Sequence, residues 1–134
     1  MPLRLSSDRW RWPLAAAAAL AACAALAHGD WKPRHGGSMN DGGETSFELV
    51  YRHGGIVAHV SDHGVPVDTR GSSPELLLHG RSGTKVLKGT AHGSRVVFDR
   101  VSLAAVDSLD LRLTFANGSV AYGRFPGLPV AGKR

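Results

Sequence analysis

From position 46 onward, apolar and polar residues fall into short alternating or wholly apolar runs broken by glycine. In SFELVYR (46–52), Phe47, Leu49 and Tyr51 alternate with Glu48 and Arg52. A two-residue period of this kind puts one set of side chains on a core face and the other in solvent. GIVAHVS (55–61) follows a His-Gly pair, which predicts a hairpin. PELLLHG (74–80), TKVLKGT (84–90) and SRVVFDR (94–100) each read as a strand. LDLRLTF (109–115) and SVAYGRF (119–125) flank Asn117-Gly118, the strongest short hairpin signal in the chain. Leu109, Leu111, Leu113 and Phe115 are expected to face the core. Only VSLAAVDSLD (101–110) has the makings of a helical turn. About seven strands with turns every 8 to 12 residues predict an all-β domain, a small antiparallel immunoglobulin-like β-sandwich spanning 46–126. Residues 127–134 are left as a tail.

The first 27 residues break this pattern. MPLRLSSDRWRW carries Arg4, Arg9 and Arg11 against one Asp8, and PLAAAAALAACAALA is uncharged. A basic segment, a short apolar segment and Ala25-Leu26-Ala27 together predict a secretory signal peptide over 1–27. Nothing later is long and apolar enough to predict a transmembrane span. Two cleavage points are open. A cut after Ala27 makes His28 the first residue. LAAC (20–23) also has the form of a bacterial lipobox, in which Cys23 is lipidated and becomes the anchor. Under the first reading no cysteine remains, and disulfides and thiolate metal sites are excluded. Residues 28–45 hold five glycines with Pro, Asn, Asp and Ser, and read as a flexible leader.

Charge narrows the function classes. Removing three Arg and one Asp with the signal from the chain's 16 basic and 11 acidic residues leaves 13 and 10. The basic residues are scattered, without a cluster interleaved with aromatics, so nucleic-acid binding is not expected. No Gly-x-Ser-x-Gly elbow or other nucleophile motif is present, and no enzyme is predicted.

The histidines are the chemistry the sequence offers. Six of seven are followed by glycine, at His28, His35, His53, His63, His79 and His92; only His59 is not. Glycine after a polar residue is a common way to turn a chain, since glycine accepts positive φ. Successive turns also lie at opposite ends of a sandwich, so the seven cannot meet at one point. Two subsets remain as candidate ligands. An N-terminal His28 grips Cu(II) through its amine and imidazole together, with His35, Met39, Asp30 and Asp41 nearby in the leader; a thioether such as Met39 suits Cu(I). In HVSDHG, His59 and His63 are four apart, with Asp62 between.

HGDWKPRHGG, FELV and VSDHGVPVDTRG together resemble small exported proteins of Gram-negative bacteria. Similar segments occur in periplasmic adaptor subunits of heavy-metal efflux systems. The resemblance covers roughly residues 28–71 and touches His28, His35, Asp62 and His63. The glycine-rich stretch 36–43 departs from it, and 72–134 lie beyond it. It implies a periplasmic location and a link to heavy-metal homeostasis.

The sequence therefore predicts an exported periplasmic protein that binds a transition metal, copper first, as a buffer, carrier or accessory to an efflux adaptor. The expected metal ligands are His28, His35, Met39, His59 and His63. The alternative is a non-metal interaction module of the envelope, anchored through Cys23, that pairs an exposed strand edge with another envelope protein.

Overall fold

The computed structural model describes residues 32–40 and 43–129. The expected signal peptide, Cys23 and His28 lie outside these residues. Ten strands and no helix occur among the described residues: β1 (Ser38–Met39), β2 (Thr45–Arg52), β3 (Gly55–Asp62), β4 (Val65–Pro66), β5 (Ser73–Gly80), β6 (Gly83–Lys88), β7 (Thr90–His92), β8 (Arg95–Phe98), β9 (Val106–Thr114) and β10 (Val120–Phe125).

Two antiparallel sheets form the sandwich. One has the order β1-β2-β3-β8-β7, with β4 also on β3; the other has the order β10-β9-β5-β6. Lettering β2, β3, β5, β6, β7, β8, β9 and β10 as A, B, C, C′, D, E, F and G gives A-B-E-D against G-F-C-C′. That is the immunoglobulin Greek-key order. Apolar alternation explains the packing. Phe47, Leu49, Ile56, Ala58, Val60, Val96 and Phe98 from the first sheet meet Leu76, Leu78, Leu109, Leu111, Leu113 and Phe125 from the second. Leu109, Leu111 and Leu113 are fully buried as expected, and Phe115 packs partly against them.

The extra strands have local causes. TKVLKGT is not one strand: β6 ends at Lys88 and β7 begins at Thr90, so the chain changes sheets at Gly89. The 101–110 stretch forms no helix, only a turn at Ala104-Ala105 leading into β9. The Asn117-Gly118 hairpin forms, but its loop has three residues, because Phe115 and Ser119 are paired across it. Gly118 takes φ 89°, the left-handed residue that closes such loops.

Two His-Gly pairs are turn chemistry. His53 and Gly54 have φ 52° and 72°, and His63 and Gly64 have φ 47° and 79°. Each pair forms the whole loop of a two-residue hairpin, between Arg52 and Gly55 and between Asp62 and Val65. Positive φ at both central positions is the type I′ pattern, in which His stands where Asn or Asp is usual.

The long crossover from β4 to β5 is pinned by Thr69, which is fully buried. Its N–H donates to the Gly93 carbonyl at 2.8 Å, and its hydroxyl lies 2.8 Å from the same oxygen and 3.1 Å from that of Arg95. Leu111→Ala, in the centre of the core, is expected to destabilise the domain by about 2–5 kcal/mol. Chemical denaturation followed by tryptophan-independent far-UV circular dichroism measures it.

Candidate functional site

The site is built on the outer face of the first sheet, where alternation sends the Glu48 side chain away from Phe47 and Leu49. Simple alternation leaves Glu48 in solvent. The structure instead buries it to 5% exposure, together with Val50. The cause is the leader. β1 pairs with β2, with Met39 opposite Glu48, and residues 34–37 close over the carboxylate. The N–H groups of Arg34, His35 and Gly37 donate to it at 2.8, 2.7 and 3.0 Å. His35 Nδ1 lies 3.1 Å from Oε1.

Glycine is required in this wrap. Gly36 turns the chain at φ 70°, and a Cβ on Gly37 would run into the Leu49 carbonyl oxygen. Burial by itself would push the Glu48 carboxyl up, but the donors from Gly37, Arg34 and His35 outweigh it and hold it below the usual carboxylate range. Glu48 is therefore an ionised, fully partnered anion under the leader.

His59 lies directly across from Glu48 on β2 and from Arg95 on β8. Met39, Glu48, His59 and Arg95 thus form one row across the outer face. The His35 ring stacks on His59 with centroids 3.6 Å apart and planes 4° from parallel. Burial pushes the His59 imidazole down, repulsion from His35 adds to this, Glu48 opposes it, and Arg95 again lowers it. The downward shift favours the neutral ring, which offers a lone pair rather than a charge. Beside the stack is an open cavity of about 290 Å³, lined by Lys32, Arg34, His35, Met39, Glu48, His59, Ser61 and Ser94 among others.

Of the five expected ligands, the structure brings together His35, Met39 and His59. His28 lies outside the described residues. His63 does not join them: its side chain is 71% exposed in the turn after β3 and faces Asp62 at 2.7 Å. His53 occupies the turn at the other end of β3, roughly 25 Å away at the usual strand rise. Among the described residues no three His, Cys, Asp or Glu side chains form a ready-made ion cage. The His35–His59 pair uses nitrogen and sulfur neighbours, with Glu48 behind His35. A carboxylate on one imidazole nitrogen is an arrangement found behind many metal-bound histidines.

A second polar cluster sits on the outer face of the other sheet. Asp110, nearly buried, accepts from Tyr122 at 2.7 Å, faces His79 Nε2 at 2.8 Å and has Arg124 at 3.7 Å. Thr84 Oγ1 occupies the other nitrogen of His79 at 2.9 Å. Nothing in LDLRL marks Asp110 as partnered, because its neighbours come from β5 and β10. Both nitrogens of His79 are engaged, so this cluster ties four strands together, β6, β5, β9 and β10. Burial pushes the Asp110 carboxyl up, but the bonds from Tyr122 and His79 prevail and hold it below its usual range. The same bond raises the Tyr122 hydroxyl.

Glu48→Gln is expected to cost about 1–3 kcal/mol, since a neutral amide replaces an acceptor of three amides. Hydrogen exchange at Arg34, His35 and Gly37 should quicken selectively. Because the folded Asp110 pKa is depressed, its contribution is present above the unfolded value of about 3.9 and is lost as pH falls through the folded value. Asp110→Asn should therefore be less stable than the parent at pH 7, with the gap narrowing in acid, as urea titrations at stepped pH would measure. No protein-family model, no curated protein and no solved structure matches this chain.

Proposed function

We propose that the chain is an exported protein of the Gram-negative periplasm that binds a transition metal ion, copper foremost. In this reading it serves as a buffer, a carrier or an accessory to heavy-metal efflux, and is not an enzyme. The observation that carries it is the His35–His59 stack, backed by Glu48 and set beside Met39 in one cavity. Two imidazoles and a thioether are donors suited to copper.

In the stack, ring planes are parallel and their lone pairs run side by side, so one ion cannot be gripped by both in place. His59 is fixed on β3. His35 is half exposed on the leader and is the ring that turns on metal entry. The leader is then a structural part of the site, and His63 is not.

A second reading is an envelope interaction module. The observation favouring it is β6, a terminal strand of its sheet in which five of six residues are exposed and Val86 is half exposed. Such an edge offers backbone groups to a partner's strand.

Metal titration of the purified exported chain separates the two. His59→Ala and His35→Ala are each expected to weaken copper binding by about tenfold or more, whereas His63→Ala leaves it unchanged. An absence of copper binding to the parent removes the metal reading, and equal binding by all three variants removes the His35–His59 site as its seat.

A further inference from the structure

We infer that the His35–His59–Met39 site is selective for monovalent copper over Cu(II) and Zn(II). This rests on the metal-binding reading above and narrows it. Three features carry it.

The first is the state of Glu48, the only carboxylate in the cavity wall among the described residues. Glu48 has both oxygens engaged, Oε1 by the Arg34 amide and His35 Nδ1, and Oε2 by the amides of His35 and Gly37. It cannot turn to an ion without releasing the leader. Among the described residues, the wall's other donors are the His35 and His59 imidazoles, the Met39 thioether and the Ser61 and Ser94 hydroxyls. Divalent Cu(II) and Zn(II) favour fuller nitrogen and oxygen shells, whereas a soft thioether selects Cu(I).

The second feature is charge. Lys32 and Arg34 line the same cavity, and Arg95 stands across from His59. Among the described residues, these three cations stand around one partnered anion. Repulsion from this rim rises in proportion to the charge of the incoming ion, so a dication is penalised about twice as much as a monocation.

The third is placement. Met39 sits opposite Glu48 in the β1–β2 pairing, and Glu48 is opposite His59. Backbone pairing thus holds the thioether-bearing residue in the same row as the two rings, instead of leaving it on a free leader.

The test uses the full exported chain with three probes. Cu(I) is supplied anaerobically in competition with a chromogenic chelator, and Zn(II) and Cu(II) by calorimetry. Met39→Leu keeps the apolar bulk, and circular dichroism checks its fold. The expected result is that Met39→Leu weakens Cu(I) by about tenfold or more while Zn(II) changes less than about twofold. Neutralising the rim with Lys32→Gln and Arg34→Gln should strengthen Zn(II) more than Cu(I). Tighter Zn(II) or Cu(II) than Cu(I) at a site lost in His59→Ala would overturn the selectivity and leave the metal reading standing. Equal Cu(I) binding by the parent and Met39→Leu would do the same. No ion lost in His59→Ala would overturn both.

Discussion

A carboxylate taken out of water must be given donors, and in this protein the donors come from a segment outside the main strands. Glu48 lies in the middle of β2, where its neighbours Phe47 and Leu49 fix its direction. Its side chain has to emerge on the outer face. Three amides from 34–37 meet it there, so the leader is held by an anion and the anion is hidden by the leader. Remove either and the other loses its reason. The stack of His35 on His59, the position of Met39 and the walls of the cavity all follow from this one arrangement.

The sandwich was largely legible because its signal is local. Period-two alternation placed Leu109, Leu111 and Leu113 in the core, and glycine-centred turns marked where strands end. What the sequence hid were events decided by distant partners. The switch of sheets at Gly89 is invisible in TKVLKGT, since both halves are plausible continuation of one strand. The two-residue pairings of β1 and β4 have no period to detect. Residues 32–40 read as leader because their composition is turn-like, yet those same glycines are what permits close approach to β2.

The site was legible by residue type and not by grouping. His35, Met39 and His59 were nameable as candidate ligands, but His63 looked as good as any of them. His63 lies four positions after His59, and a turn with φ 47° at His63 divides their environments. Glu48 and Asp110 were missed for the same reason in reverse. Each is an ordinary outward-facing acid by pattern, and each is buried by groups contributed from elsewhere in the chain. The described His-Gly pairs, which look uniform in sequence, divide into turn formers at His53 and His63, a strand-borne ring tied to Asp110 at His79, the end of β7 at His92, and a leader ring at His35.

The two type I′ turns that bracket β3 also act as a ruler. Each closes in two residues, which locks the pairing of β3 to β2 and to β4 with no slack. One residue added to the first of them, where it is not taken up by a three-residue loop as at Asn117-Gly118, would slide β3 by a single position against β2. In a strand, that slip exchanges the two faces. Ala58 or Val60 would then stand across from Glu48, and an imidazole would be driven among Phe47, Val96 and Phe98. Insertions in this loop, harmless in most surface hairpins, would here erase the outer-face histidine while leaving every residue of it in the chain.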